Sequence, residues 1–323
     1  MRWLLGLTLR VWLALSLSFV MAECSGVDPI RQMMGPQASA TEVQRMRLAQ
    51  GAGAPMHARY THMLAGFVHL APRAAPVEAM EPGTLAVGRL RLSLGTSYVR
   101  HTPVARAIAE RFGATASLAA AVLVAQSALG LALALGLRAR KTRAVADVGG
   151  AVAASVPAFV LAMILQALFA ASLGWFPIGG FEGAGFVKLR ALVLPALSVA
   201  LLGATAYAKV ACDLWQEVER SPHPRTARSK GASRNRTFWM HIARNTCVPL
   251  VVMMATDAGL LLGGIATVEN VFRFPGLGAL AVQSVMSGDL PMLTGIVALA
   301  TVCVSVCSAM GRAASRALGA PLT

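Results

Sequence analysis

Charged residues are scarce in this sequence, and acidic residues are the scarcest. Of 323 residues, 13% are charged and 56% are hydrophobic, and 29 Lys and Arg residues stand against 14 Asp and Glu residues. A soluble globular domain carries about a quarter charged residues, so this chain has too little polar surface for a water-soluble protein. The net charge of +15 makes the position of the basic residues informative.

Signatures of nucleotide binding and hydrolysis are also lacking. The sequence has no GxxxxGK[ST] phosphate loop, and residues 136–142, which come nearest, lack the second glycine whose backbone would cradle phosphate. Neither HExxH nor GxSxG occurs. The five cysteines form no CxxC pair, and the histidines of residues 57–69 lack regular ligand spacing. We therefore expect no catalytic residue, no cofactor and no metal site.

Long apolar runs dominate the sequence instead. A helix needs about 20 apolar residues to cross a bilayer core of roughly 30 Å, and no water there can satisfy open peptide groups. Six runs fit this description, with Arg10 interrupting the first and Asp257 the fifth: 3–22, 113–137, 148–181, 191–208, 246–268 and 290–311. The sequence predicts an all-α membrane protein with about six transmembrane helices.

The runs divide the chain into three parts. Residues 1–22 form a first transmembrane helix or a signal-like segment; we favour a retained helix, because five further hydrophobic segments make a cleaved signal unnecessary. Residues 23–112 form a long external segment, and residues 113–323 form a core of five transmembrane helices. Within the core, Pro157 and Pro195 are expected to bend their helices. Gly259 and Gly263 form a GxxxG pair that lets another helix approach.

A basic island separates the fourth and fifth runs. From Arg220 to Arg244 there are seven Lys and Arg residues and no acidic residue. Placing this island in the cytoplasm satisfies the positive-inside rule and puts both termini inside. The charge is thus explained by topology and not by nucleic acid binding. A connection this long exceeds what a chain reversal needs, which favours a docking surface; the alternative is an interfacial amphipathic helix.

Two short helices are predicted within the island. Residues 225–230 can form the first, which Gly231 terminates. Ser233 can cap the second, 234–244, with Phe238, Trp239 and Ile242 on an apolar side.

The island resembles the cytoplasmic signature loop of ABC-importer permeases of the dipeptide, oligopeptide and nickel type. The resemblance starts at Arg225-Thr226-Ala227-Arg228-Ser229-Lys230-Gly231 and continues through 241–245 to Pro249. Four more segments are similar to the same family: 28–36, the LGTSY of 94–98, 263–278, which ends in PGLG, and the GDLP of 288–291. Ordered motifs over most of the chain make the match specific.

The resemblance implies a type I importer permease in the bacterial inner membrane. In this family the coupling loop, here 213–245, docks on a separate ATP-hydrolysing subunit, so the permease itself is not an enzyme. The implied docking residues are Arg225, Thr226, Ala227, Arg228, Lys230 and Gly231. The implied partners are a second similar permease, two ABC ATPase subunits, a periplasmic solute-binding protein and membrane lipid. The cargo would be di- or oligopeptides, or alternatively nickel or another metal chelate.

The sequence departs from the family in two places. Residues 50–90 are rich in Pro and Ala where a Trp-containing helix is expected, and 71–83 is typical of an irregular linker. Asp257 replaces an uncharged polar residue near the middle of its run, either as part of the translocation path or as hydrogen-bonded contact between helices. Glu269 is a second candidate for the path. From another functional class, an ion-coupled carrier or channel could use Asp257 as its ion site; a membrane anchor without transport activity is a third alternative.

Overall fold

The computed structural model is almost entirely helical in the part of the chain that it describes. These residues are 2–24, 29–34, 37–49, 55–70, 85–87, 90–92, 94–140, 149–150, 155–183, 185–222, 226, 229–231, 233–263 and 265–317. The all-α fold class predicted from the apolar runs is confirmed, with one small sheet in addition.

The described part of the N-terminal third contains four helices and three short strands. In chain order they are α1 (Arg2–Cys24), α2 (Pro29–Met34), α3 (Ala40–Ala49), α4 (Met56–Phe67), β1 (Val68–Leu70), β2 (Leu85–Val87) and β3 (Leu90–Leu92).

The remainder of the described chain is helical and includes two π-helical turns. The elements are α5 (Val104–Arg140), α6 (Ala158–Leu165), π1 (Gln166–Ser172), α7 (Phe186–Arg220), α8 (Arg234–Thr237), π2 (Phe238–Ala243), α9 (Arg244–Leu262), α10 (Ala266–Val271), α11 (Leu277–Met286) and α12 (Leu290–Ala317).

Helices occur at all six predicted spans, but they differ in length. Three are long and apolar enough to cross a membrane: Val104–Leu137, Phe186–Arg220 and Leu290–Ala317. The first, third and fifth runs contain shorter apolar helices: Leu5–Met21, Ala158–Ser172 and Thr246–Leu262.

The two prolines of the core behave differently. Pro195 lies inside α7, and the bend expected there stays a prediction. Pro157 does not bend a helix, and that prediction is wrong: its backbone is extended (φ −62°, ψ 137°) and it precedes the first residue of α6. A proline lacks the N–H that goes unused at a helix start, so it is as well suited to beginning a helix as to kinking one.

Strands β1, β2 and β3 form a small antiparallel sheet that was not predicted from the sequence. The strand order is β1-β3-β2, with Leu70 opposite Leu90 and Val87 also opposite Leu90 on the other side of β3. The linker predicted at 71–83 lies outside the described residues.

The chain divides into two compact units, and the first comprises residues 1–113 and 276–302. Its core is formed where α5, α11 and α12 pack together, with Val104, Leu280 and Met292 at most 1% exposed. Elsewhere in this unit the Tyr60 hydroxyl of α4 lies 2.6 Å from the Ser16 hydroxyl of α1, and the Tyr60 ring packs against Phe19 at a tilt of 59° with centroids 5.3 Å apart.

Helix α3 of the first unit begins with a capping box. The Ser39 hydroxyl and the Ser39 N–H both donate to Glu42 Oε2, at 2.7 and 3.0 Å, and the Glu42 N–H donates back to Ser39 Oγ at 3.3 Å. Both bonds from Ser39 hold the pKa of Glu42 below its ordinary value, and the bond from the side chain has the larger effect. The reciprocal pattern satisfies donors that a helix start leaves open.

The second unit comprises residues 114–275 and 303–323. Close helix contact here depends on glycine, because a Cβ on Gly259 of α9 would lie 2.8 Å from the Val304 Cα of α12. The predicted role of Gly259 is therefore confirmed, whereas Gly263 ends the helix. Further along α12, a Cβ on Gly311 would lie 3.0 Å from the Ala255 side chain.

In this unit, hydrogen bonds connect π1 and the segment that follows it to the end of α10. The Gln166 amide donates to the carbonyls of Ile178 at 2.6 Å and Val271 at 3.0 Å. The Gly180 N–H donates to the Phe272 carbonyl at 2.9 Å, and a Cβ on Gly179 would come within 2.6 Å of that same oxygen.

Candidate functional site

The first half of the basic island turns sharply at Gly231. The Lys230 N–H donates to the Thr226 carbonyl at 3.2 Å, which is one helical hydrogen bond, and the Ser229 hydroxyl also donates to that carbonyl at 2.9 Å. Gly231 follows with φ +86°, a left-handed conformation that glycine adopts without the steric penalty of a Cβ. Thus the predicted helix stop is present. Arg225, Ala227 and Arg228 lie outside the described residues.

The second half of the island starts a longer helix than predicted. Ser233 accepts the Arg236 N–H on its hydroxyl at 3.3 Å, and the Thr237 N–H on its carbonyl at 2.9 Å, so the predicted cap is present. The helix does not end at residue 244, because α8, π2 and α9 follow each other without a break to Leu262. The island therefore connects directly to the fifth apolar helix.

The aromatic residues of this segment divide between inside and outside. Phe238 is 1% exposed, whereas Trp239 is 55% exposed, so these two residues of the predicted apolar side differ in burial. Both residues lie in π2, and consecutive residues of a helix point in different directions. Nothing is described for the side chain of Ile242.

Phe238 anchors the base of the island to the end of α7. Its ring meets Trp215 edge to face, with centroids 5.1 Å apart and planes at 80°. The Trp215 indole N–H donates to the Thr246 hydroxyl at 3.0 Å in a buried setting, and that hydroxyl donates to the Ala243 carbonyl at 2.8 Å. These contacts join α7, π2 and α9 into one packed junction. A displacement of the island would therefore be transmitted to α7 and α9.

Asp257 belongs to a polar cluster made by three helices of the second unit. The Tyr207 hydroxyl of α7 donates to Asp257 Oδ2 at 2.8 Å. The Gln126 amide of α5 donates to the same oxygen at 3.1 Å and to the Tyr207 oxygen at 3.3 Å. Tyr207 is 1% and Gln126 is 4% exposed, while Asp257 is half-buried. A bare carboxylate at mid-span costs roughly 2.5–3.5 kcal/mol on insertion scales, and these charge-assisted bonds offset part of that cost.

Two glycines make room for this cluster. A Cβ on Gly130 would lie 2.5 Å from the Tyr207 Cβ and 2.8 Å from the Ala204 carbonyl oxygen. A Cβ on Gly203 would overlap the Gln126 side-chain oxygen. The Gly130 contacts are with a Cβ and a backbone oxygen, so the close approach of α5 and α7 depends on the missing side chain there, whereas Gly203 leaves room for the Gln126 amide.

Glu269 lies in a different environment from Asp257. Its side chain is 0% exposed, and its Oε1 accepts a hydrogen bond from the Thr115 hydroxyl at 2.9 Å. Its backbone carbonyl accepts the Phe274 N–H at 2.7 Å, which closes the turn after α10. Glu269 therefore stabilises a packed junction in this conformation, because its carboxyl group is not on an open surface.

In the first unit, two of the family-like motifs meet. The Ser97 hydroxyl of the LGTSY motif donates to Asp289 Oδ2 of the GDLP motif, and the Tyr98 N–H donates to Asp289 Oδ1 at 3.2 Å. Asp289 also accepts the Met292 N–H at 3.4 Å at the start of α12. Burial is the main cause that raises the pKa of the Tyr98 hydroxyl, and the negative charge of Asp289 raises it further. Asp289 is 3% exposed, and its carboxylate fixes the loop 94–103.

Several of these partners were missed in the sequence. Gln126, Tyr207 and Thr115 each stand within or beside an apolar run, and an isolated polar residue there was the available signal. Polar residues inside membrane helices commonly face a partner because lipid offers none. The identity of the partner could not be deduced, since Gln126 and Asp257 are 131 residues apart.

Comparisons with known proteins agree with this geometry. A family model described as "Binding-protein-dependent transport system inner membrane component" matches residues 126–320. The glutathione transport system permease protein GsiC of Salmonella typhi is 31% identical over 299 residues, which is 92% of this chain and 89% of that protein. GsiC of Escherichia coli is 30% identical over 293 residues, 90% and 87% of the two chains.

A solved structure shares the fold. An inward-facing structure of the MetNI methionine ABC transporter contains a chain that matches with a TM-score of 0.54 and 16% identity, over 65% of this chain and 95% of that one. The likeness extends over almost the whole of the solved chain, so the predicted type I permease architecture is confirmed.

Proposed function

Because the chain belongs to the family of binding-protein-dependent transport system inner membrane components, we propose that it forms the translocation path of an ATP-driven importer for peptides or peptide-like solutes. It is a multi-pass inner-membrane permease and not an enzyme; ATP hydrolysis belongs to a separate subunit. The relatives named as glutathione permeases support a small peptide as cargo.

The basic island is the docking surface for the ATPase in this proposal. The observation that carries it is the left-handed turn at Gly231, which ends a short helical turn in a segment free of acidic residues. The proposed docking residues are Arg225, Thr226, Ala227, Arg228, Lys230 and Gly231. Lys230 is exposed, so its ammonium group is available to carbonyl or carboxylate groups of a partner.

Coupling follows from how the island is anchored. Phe238 and Trp215 pack edge to face, and Trp215 is hydrogen-bonded to Thr246 at the start of the fifth apolar helix. A tightly packed junction moves as a body and does not deform gradually. ATP-driven closure of the ATPase pair would therefore shift α7 and α9 together and switch access to the path.

Two acidic residues are proposed for the path, in different states. Asp257 is half-buried and lies at mid-span, so it is the residue that cargo meets in the present conformation. Glu269 is fully buried against Thr115, and it would reach the path only after α10 moves.

The remaining features are proposed from the family and the charge distribution. The full assembly would contain a second permease, two ABC ATPase subunits, a periplasmic solute-binding protein and surrounding lipid. Both termini and the 213–245 loop would be cytoplasmic. The three-part organisation into 1–22, 23–112 and 113–323, with the first helix retained, also stays a prediction.

The proposal is tested by reconstituting the complete transporter in proteoliposomes. We expect uptake that needs ATP and the binding protein, measured with labelled di- and tripeptides in one arm and labelled nickel in the other. Uptake of nickel alone would replace peptides by metal chelates as cargo. Uptake by the permease without ATPase subunits, driven by an ion gradient, would establish the carrier alternative, and inactivity of the complete assembly would favour a membrane anchor.

The orientation of the island has its own test. A Ser229→Cys substitution, in a variant without the native cysteines, should react with a membrane-impermeant maleimide only from the cytoplasmic side. Ser229 is exposed, so access is limited only by the membrane. Labelling from the periplasmic side would put the island out of reach of any ATPase.

A further inference from the structure

The carboxylate of Asp257 uses only one of its two oxygens within the described part of the chain. Tyr207 and Gln126 both donate to Oδ2, at 2.8 and 3.1 Å. No described residue donates a hydrogen bond to Oδ1, and none forms an ion pair with Asp257. A carboxylate oxygen can accept two hydrogen bonds, so Oδ1 retains its full capacity to bind a donor.

The cluster is closed on the side of its donors and open on the side of the acid. Tyr207 and Gln126 are almost fully buried, whereas Asp257 is half-buried. Leu260, one turn further along α9, is 60% exposed, and Thr256 is also exposed. Residues three apart are neighbours on a helix surface, so Asp257 lies at the edge of the exposed side of α9.

The chemistry of the open oxygen favours an ammonium group over the other cations. An ammonium carries a positive charge and three N–H donors and needs no further ligand of defined geometry. Divalent metal ions require several ligands in a fixed arrangement. Among the described residues no group of three or more His, Cys, Asp or Glu could hold a metal ion.

We propose that Asp257 Oδ1 binds the ammonium group of a peptide-like cargo during its passage through the membrane. The proposal rests on the peptide-import function proposed above. A peptide with a free N-terminus carries this group at neutral pH, because an α-amino group titrates near pH 7.7–8.0. Tyr207 and Gln126 are positioning residues: by bonding only to Oδ2, they fix the carboxylate and leave Oδ1 for the cargo.

Uptake by the complete transporter in proteoliposomes tests the proposal. Labelled dialanine, trialanine and glutathione are compared first, and the peptide taken up fastest is used with its N-acetylated form. We expect Asp257→Asn to raise the KM for the free peptide by at least about tenfold, since a hydrogen bond between charged groups is lost. The N-acetylated peptide should cross both proteins with the same, higher KM. Asp257→Glu, which keeps the carboxylate, should recover part of the difference.

Two controls separate recognition from folding. Thr256→Ala changes an exposed neighbour whose hydroxyl bonds only to the Val252 carbonyl of its own helix, and it should transport like the wild type. Tyr207→Phe keeps the carboxylate but loses one of its two positioning bonds, so it should raise the KM for the free peptide less than Asp257→Asn does. Equal KM values for the free peptide in wild type and Asp257→Asn would overturn the proposal while leaving the importer function intact.

Chemical modification of Asp257 tests whether the cargo occupies its carboxyl group. Dicyclohexylcarbodiimide modifies reachable carboxyl groups in membranes, and mass spectrometry would measure its reaction at Asp257 against buried Glu269 in the wild-type complex. The free peptide should protect Asp257 and the N-acetylated peptide should not. An Asp257 that is modified equally with and without the free peptide would show that the cargo does not cover Oδ1, which overturns the proposal. A wild-type complex that imports none of the three peptides overturns both this proposal and the proposed function.

Discussion

Replacement of Gly231 by residues with a side chain should weaken coupling through backbone strain alone. Gly231 has φ +86°, and a Cβ built on it meets no atom within 4 Å. A substitution therefore causes no steric overlap with neighbours. Its cost is that of holding an L-residue in the left-handed region, about 1–2 kcal/mol. Since 1.4 kcal/mol is tenfold, alanine should lower the population of the docking conformation by about 5- to 30-fold.

The order of the effects is the sharper prediction. A β-branched residue is the least tolerant of positive φ, and Asn is tolerated because its side chain can bond locally. Gly231→Val should impair coupling most, Gly231→Ala less, and Gly231→Asn least. The assay is the number of peptide molecules imported per ATP hydrolysed by the reconstituted transporter. The amount of protein inserted in the membrane should not change.

Gly174 offers a matched control for this series. It also has a positive φ, +62°, and open space around its Cβ position, but it follows π1 and not the basic island. Gly174→Val introduces the same kind of strain and should leave the import-to-hydrolysis ratio unchanged. If Gly231→Val keeps the wild-type ratio, or if Gly174→Val lowers it equally, the turn at Gly231 has no special part in coupling.

Three further predictions concern stability. Gly130→Ala should destabilise the purified protein by about 1–3 kcal/mol through overlap with the facing tyrosine, while Gly136→Ala on the same helix, with no atom within 4 Å, should be neutral or stabilising; equal melting temperatures would contradict the close contact. Thr246→Val removes the acceptor of the buried Trp215 indole N–H and should cost about 1–3 kcal/mol in thermal unfolding; an unchanged melting temperature would mean that water replaces it. Asp289→Asn should speed amide hydrogen exchange in the loop 94–103 about 10- to 100-fold through weaker hydrogen bonds, and unchanged exchange would show that other contacts hold that loop.

Helix positions were predictable because the membrane constrains composition strongly. A run of about 20 apolar residues has no alternative to helix in a bilayer, and helices occur at all six runs. The start of the third helix was not predictable, since Pro157 is flanked by apolar residues on both sides and fits either a bend or a beginning. The small sheet formed by β1, β2 and β3 was missed as well, because its three-residue strands are too short to show an alternating pattern.

The basic island was predicted in its local features but not in its packing. Gly231 and Ser233 act through their own backbone and nearest neighbours, so turn and cap chemistry sufficed to place them. Consecutive residues point in different directions on any helix, so which of Phe238 and Trp239 is buried was decided by the packing of Phe238 against Trp215. The docking partner expected for the island, the ATPase, remains a prediction from the family.

The sequence by itself determined that this protein lies in a membrane, that it is helical and which family it belongs to, because each follows from composition or from contiguous motifs. Only the tertiary structure decided that Asp257 meets Gln126 and Tyr207, and that Asp289 meets Ser97. Such pairs depend on which faces of distant helices come into contact. That choice is set by small residues such as Gly130, which leave space for a facing helix. A glycine in the sequence does not indicate which helix it faces.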